Sequence, residues 1–268
     1  MDNWAVSEKI NNDYSALGLH LIQDYDKYKL YQIVSGSTQM EGATLDPLET
    51  QLLIEEGITS AGKPLEHHLM VKDNYQAMMF AMGEASKKVS FSPELLKKIN
   101  SFNMSSTGSI VDCSAGTFDK TKGDFRLNMA FSEALGMYID PKKIINYVDA
   151  FCAGVNEKLF SAKTFREKME LSFLAHANLI VIHPWADGNK RTSRIVMNYI
   201  QHYFSLPLTR INKDHTKEYL LSLKELKDNG NPERIISFML QEHTDMLNEE
   251  IKKFQQENKK SKGFTLIF

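Results

Sequence analysis

The residues best suited to chemistry lie in one stretch, His183-Pro184-Trp185-Ala186-Asp187-Gly188-Asn189-Lys190-Arg191-Thr192-Ser193-Arg194. His183 supplies a side chain that can take a proton near neutral pH without help from its surroundings. Asp187 is a hard oxygen ligand of the kind Mg²⁺ accepts when it also holds substrate phosphates. Gly188 lets backbone amides approach an anion with no Cβ in the way, and Asn189 continues the turn. Lys190, Arg191 and Arg194 add three cations, the two arginines three positions apart as neighbours on a helix surface. Such a set suits the splitting of a nucleoside triphosphate.

Two helices must hold it. Downstream, Ile195, Val196, Tyr199, Ile200 and Tyr203 repeat with helical spacing and stop before Pro207, so the glycine turn opens a helix. The free N–H groups and positive dipole end of that helix form a phosphate cradle. Upstream, Thr164 caps a helix whose main stripe is Phe165, Met169, Phe173, His176 and Ile180, while Leu171, Leu174 and Leu179 are apolar elsewhere. A helix apolar nearly all round is a central one, and this one delivers His183 at its end. His176 reads as a core histidine.

The string resembles the signature of the Fic-domain family, His-Pro-Phe-x-Asp/Glu-Gly-Asn-Gly/Lys-Arg-x-x-Arg, with Trp185 replacing the usual Phe. The likeness runs from about 37 to 203. It implies an all-α fold with one small β-hairpin flap, and transfer of AMP from ATP, with Mg²⁺, to a Ser, Thr or Tyr hydroxyl of a protein. His183 is then the catalytic base and Asp187 the metal ligand. Gly188, Asn189, Lys190, Arg191 and Arg194 hold the phosphates. The domain reading that follows is a single Fic-type unit over 1–255, with the inhibitory motif and following helices at 35–57, the core at 92–205, closing helices at 206–255 and a tail at 256–268.

Two further segments gain meaning from the same likeness. Ser37-Thr38-Gln39-Met40-Glu41-Gly42 alone is a Ser/Thr-rich start to a helical turn with a surface acid. Beside the signature it resembles the family's inhibitory Ser/Thr-x-x-x-Glu-Gly/Asn motif, which would begin at Ser37 and in which Glu41 pairs with Arg194 and keeps ATP's γ-phosphate from settling productively. Phe125-Arg126-Leu127-Asn128-Met129 alternates with period two, and Tyr138-Ile139 can return, so a hairpin over about 125–139 is expected. The resemblance makes it the flap that holds a target peptide by edge hydrogen bonds. The segment 105–124 reads as irregular, shaping the entrance.

Lys190 keeps other reactions open, since Lys at that position also occurs in phosphorylating relatives, which carry Ala in place of Gly188. AMP removal aided by Glu41, and a silent nucleotide-gated binding module, are the remaining alternatives.

Composition narrows the setting. The chain has 268 residues, is 42% hydrophobic and 25% charged, and has a formal net charge of −2. Those are values of a globular protein with no electrostatic footprint for nucleic acid or an anionic membrane. Two cysteines, Cys113 and Cys152, point to a reducing, cytoplasmic setting. No secretion signal or membrane span is expected, and a homo-oligomer is compatible with the sequence.

Elsewhere the apolar spacing predicts one helix in 1–34 through Leu17, Leu21, Tyr25 and Tyr28. A helix over 44–57 follows, with Leu45, Leu48, Leu52 and Leu53 inward, then one over 66–87 and one capped by Ser92. Asp140-Pro141 opens another, with Ile144, Ile145, Val148, Phe151 and Cys152 inward. Closing helices are expected over 217–228 and 232–254, before an apolar tail at 264–268.

Overall fold

The computed structural model describes residues 2–261, without the side chains of 20 and 258–261. The described residues form ten α-helices: α1 (Asn3–Ala16), α2 (Tyr25–Gln39), α3 (Pro47–Glu56), α4 (Leu65–Ser86), α5 (Pro93–Asn103), α6 (Ile144–Ser161), α7 (Phe165–Ile182), α8 (Asn189–Tyr203), α9 (Thr216–Asn229) and α10 (Glu233–Ser261). Two antiparallel hairpins interrupt them, β1 (Ile110–Cys113) with β2 (Gly116–Asp119), and β3 (Phe131–Ser132) with β4 (Gly136–Met137). The fold is all-α with small β insertions.

The centre is the pair α7 and α8, packed along each other. α8 buries twelve of its fifteen residues, and its Ile195, Val196, Tyr199 and Ile200 are fully enclosed. One side of the pair packs against α2, α4, α5 and α6 through Val34, Met78, Leu96, Ile99, Val148 and Trp185. The other packs against α9 and α10 through Phe173, Ile180, Tyr219, Leu223 and Met239. Local chemistry sets the ends. Thr164 and Glu167 form a capping box at the start of α7, Asp46 and Glu49 one at α3, and the Ser92 side chain caps α5.

Several expectations are corrected. The first 34 residues hold α1 and the start of α2, not one helix, because the chain turns through left-handed conformations at Gly18 (φ +61°) and Asp24 (φ +63°). The spacing of Leu17, Leu21, Tyr25 and Tyr28 is thus read across a break, and Leu21 is exposed. Ser37 and Thr38 lie in the last turn of α2 rather than at a helix start, where the Thr38 hydroxyl donates back to the carbonyls of Val34 and Ser35. Leu48 and Ile145 are exposed, since the buried stripe of α6 runs through Ile144, Val148, Phe151, Cys152, Val155 and Leu159. The 105–124 segment contains β1 and β2. α10 continues past 254 to Ser261, with Ile251 and Phe254 packed against the small core of Tyr14, Leu19, Met246 and Leu247. The expected apolar tail at 264–268 lies outside the described residues.

Candidate active site

α7 ends at His183, which takes a left-handed conformation (φ +51°, ψ +59°) that turns the chain sharply into Pro184. The imidazole stacks on the Tyr138 ring, with centroids 3.8 Å apart and planes 14° from parallel. Its Nδ1 is buried without a hydrogen-bond partner. Burial, joined by the nearby cations of Arg126, Lys190 and Lys227, pushes the His183 pKa down to about 3. The ring is therefore neutral at physiological pH, which is the protonation state a general base requires.

Arg126 holds the outgoing corner. Its side chain is buried, and Nε donates to the His183 carbonyl at 2.8 Å, Nη1 to Asn128 O at 2.7 Å and Nη2 to Ile139 O at 2.8 Å. Its backbone N–H donates to Pro184 O at 2.9 Å. The expected strand over 125–129 is thus absent, and the Arg126 side chain is spent on carbonyls of its own chain. The residues Phe125, Arg126, Leu127, Asn128 and Met129 have no ladder partner, and the hairpin of this region is made by the two-residue β3 and β4 farther on. The period-two alternation comes from a guanidinium buried against carbonyls, not from a sheet. Phe125 leans on Trp185, while Leu127 and Met129 are exposed.

The motif turn is built by internal clasps. Trp185 is enclosed, and its indole N–H donates to Gly123 O at 3.0 Å. The Asn189 side chain accepts from Trp185 N at 3.0 Å and donates to Trp185 O at 2.7 Å, so both ends of its amide are spent on the loop. The main chain of Asn189 is left free for an anion. Gly188 has φ +75°, and a Cβ there would stand 2.8 Å from Asn100 Nδ2 and 2.9 Å from Met104 Sδ. Its N–H donates to Asp187 Oδ1 at 2.6 Å.

Behind the turn, Thr192 Oγ1 accepts from Asn100 Nδ2 at 3.0 Å and Asn103 Nδ2 at 3.2 Å, tying α8 to α5. Arg191 is buried, with Nη1 on Asn103 O and Nη2 near Met104 Sδ, both at 3.3 Å, and with Asp187 at 3.5 Å. Asp187 itself is exposed. Among the described residues no group of three or more His, Cys, Asp or Glu could hold a metal by itself. A single exposed carboxylate still fits Mg²⁺, which usually takes one or two carboxylates and completes its shell with substrate phosphates and water.

Arg194, one turn along α8, faces α2. Nε donates to Ser37 Oγ at 2.9 Å, and Nη2 donates to Ser37 O at 2.7 Å and to Glu41 Oε1 at 2.8 Å. Nη1 is buried without a partner. The other Glu41 oxygen accepts from Lys190 Nζ at 3.2 Å. Burial alone would raise the Glu41 pKa, but Arg194 and Lys190 outweigh it and keep the carboxyl below its ordinary value, hence ionised. The structure thus brings Ser37, Glu41, Lys190 and Arg194 together, with His183, Asp187 and Gly188 at the other end of the same turn.

Four contributors escape sequence reasoning. Tyr138 and Lys227 have no local motif. Asn100 and Asn103 leave a faint signal, two amides one turn apart on a helix whose Leu96 and Ile99 are core. His176 is a core residue, bonded through Nε2 to Tyr219 Oη at 2.9 Å.

Residues 90–201 match the family model for the Fic/DOC family. A protein adenylyltransferase Fic of Aedes aegypti is 25% identical over 199 residues, covering 72% of this chain and 36% of the relative. The chain therefore spans about two fifths or less of the length of the curated relatives it matches first. In fold it is similar to a Fic-1 fragment of C. elegans, with a TM-score of 0.75 at 17% identity over 96% of this chain and 73% of that one. A Fic-domain-containing signaling protein of Bacteroides thetaiotaomicron gives 0.73 at 19% identity, over 91% and 94%. Among the described residues no helix is long and apolar enough to cross a membrane. Over residues 90–201, then, the chain carries a Fic/DOC-family domain.

Proposed function

We propose that the chain is a protein adenylyltransferase that moves AMP from ATP to a Ser, Thr or Tyr hydroxyl of another protein and is restrained by its own Glu41. The observation that carries this reading is the neutral His183 at the mouth of the α8 turn, with the cations of that turn on one side and the flap on the other. The relatives called protein adenylyltransferase Fic support the same reaction.

In the proposed reaction the first N–H groups of α8, which lack helical partners, receive the α- and β-phosphate oxygens at Asn189 and its neighbours, joined by the Gly188 N–H once it exchanges Asp187 Oδ1 for a phosphate oxygen. Arg191, Arg194 and Lys190 lie toward the far phosphates. Mg²⁺ bound by Asp187 and the phosphates would neutralise charge on the leaving pyrophosphate. With Nδ1 buried, Nε2 of His183 is the nitrogen left to take the hydroxyl proton. The hydroxyl oxygen then bonds to the α-phosphorus as the bond to the bridging oxygen breaks, and pyrophosphate departs. Positioning and charge stabilisation supply most of the acceleration.

Restraint follows from one guanidinium having two suitors. Arg194 already donates to Glu41, so the carboxylate occupies the fork that the γ-phosphate needs. In this proposal residues 1–255 act as one unit, with 35–57 as brake, the flap as target holder and a cytoplasmic setting in keeping with two free thiols.

The test is mass spectrometry of the Glu41→Gly protein after incubation with Mg²⁺ and ATP, alone and with candidate acceptor proteins. An AMP adduct stronger than in the wild type is expected, and His183→Ala in the same background should reduce it by about 10²–10⁴-fold. A phosphate adduct would replace the proposed reaction with phosphotransfer. Nucleotide binding with no adduct would leave a binding module.

A further inference from the structure

Lys190 stands in an unusual place. It is the second residue of α8, and Arg191 follows it, so the first turn carries two cations and no acid. The positive end of a helix dipole disfavours cations, and a turn so charged calls for an anion. In this structure Glu41 supplies it: Oε1 is held by Arg194 Nη2 at 2.8 Å and Oε2 by Lys190 Nζ at 3.2 Å. Each carboxylate oxygen has its own cation.

The two cations are held differently. The Arg194 side chain is 4% exposed and is also bonded to the hydroxyl and carbonyl of Ser37, so it stays on α2 whatever Glu41 does. The Lys190 side chain is 41% exposed, and among the described residues Glu41 is its one charged partner. Its flexible stem can follow the anion, where the buried guanidinium cannot. A glycine at this position, the other residue the motif accepts, could do neither.

We propose that Lys190 is the movable half of a two-cation latch, which holds Glu41 in the resting enzyme and carries the same charge to the terminal phosphate of ATP once Glu41 is displaced. The inference rests on the reading of Glu41 as a brake, and it adds that release and nucleotide capture share one side chain. The lysine thus stabilises both states, and its removal has different consequences with and without Glu41.

The experiment is a four-protein cycle of wild type, Lys190→Met, Glu41→Gly and the double variant, with the Kd for Mg²⁺–ATP measured by calorimetry and AMP incorporation measured in parallel. Methionine keeps the stem length without the charge, and thermal melts check that each protein is folded. Without Glu41, Lys190→Met should weaken ATP binding about threefold or more; with Glu41 present the loss should shrink or invert, because the brake is loosened at the same time. Equal fold-changes in the two backgrounds would overturn the latch while leaving the brake intact, provided Glu41→Gly itself activates. An unaltered Kd in the Glu41→Gly background would overturn the phosphate half. Should Glu41→Gly neither tighten ATP binding nor raise AMP incorporation, the brake itself fails and the latch falls with it.

Discussion

Gly188 meets two independent constraints at one atom. Its φ of +75° is a conformation an L side chain occupies at a cost, and the space a Cβ would need is taken by Asn100 Nδ2 and Met104 Sδ. Those two atoms belong to flexible side chains and could give way, but the backbone angle could not. Both neighbours also serve the turn, since Asn100 bonds Thr192 and Met104 lies against Arg191, so any shift is passed to α8. Gly188→Ala is expected to cost about 1–3 kcal/mol and to weaken Mg²⁺–ATP binding, because the amides after it are what the turn presents. Thermal denaturation and a nucleotide titration measure the two effects; a variant that melts and binds like the wild type would show that the turn tolerates the Cβ. At Asn189, by contrast, the side chain shapes the loop, with both ends of its amide bonded to the Trp185 backbone.

At the scale of elements, the β3–β4 hairpin and α9 bear on His183 together. Lys227 of α9 donates to the carbonyls of Leu135 and, at 2.5 Å, Met137, and its ammonium stands 4.9 Å from the centre of the Tyr138 ring. Tyr138 in turn lies flat on His183. The short β3–β4 hairpin has only two residue pairs, Phe131 with Met137 and Ser132 with Gly136, too few to be stable alone. Its position therefore depends on tertiary contacts, the burial of Leu135 and Tyr138 and the Lys227 tether. Lys227→Met should raise amide exchange over 130–138 roughly tenfold, the loss of one or two charge-assisted hydrogen bonds at a partly exposed site, while helices α7 and α8 stay protected. Exchange unchanged across that peptide would mean that Tyr138 and the hairpin hold themselves. Legibility follows the range of the interactions. The α7–turn–α8 unit can be read directly because Thr164, the apolar stripe, Gly188 and the motif are local signals. The flap cannot. Arg126 looks like one step of an alternating strand until its carbonyl partners at 128, 139 and 183 are known. The break at Gly18 and Asp24 fails for a related reason, since an apolar spacing carries on across a turn when residues on both sides pack near one another. Tyr138 and Lys227 are brought to His183 by tertiary packing alone.

Across the whole molecule the site is embedded in one body of helices, so its histidines contribute to stability as well as to chemistry. His176 and His243 are completely enclosed, and burial pushes both pKa values down to about 3, helped by the Arg194 cation near His176 and the Lys29 cation near His243. His176 shares its hydrogen with Tyr219, and His243 Nδ1 lies 2.8 Å from Thr209 Oγ1, while the remaining ring nitrogens, His176 Nδ1 and His243 Nε2, are buried without partners. An added proton would bury a positive charge in each case. The unfolded chain binds these protons near an ordinary histidine pKa of about 6.5, and the folded chain only near 3, so stability is complete above about pH 6.5 and is lost as pH falls from there. Each histidine contributes a slope of about 1.4 kcal/mol per pH unit in that window, or roughly 3 kcal/mol per unit for the pair. His183 adds to the same trend more weakly because it is partly exposed. His215 opposes it, since its hydrogen bond to Glu242 raises its pKa, but that ring is half exposed and its effect is small. Glu41 is held below the usual carboxylate range, so its ion pairs persist through this window and yield only in stronger acid. Urea midpoints should therefore be level from pH 8 to about 7 and then fall steeply toward pH 5, with an uptake of about two protons on unfolding. Stability unchanged between pH 7 and 5 would mean that both buried rings find a way to hold a proton inside the fold.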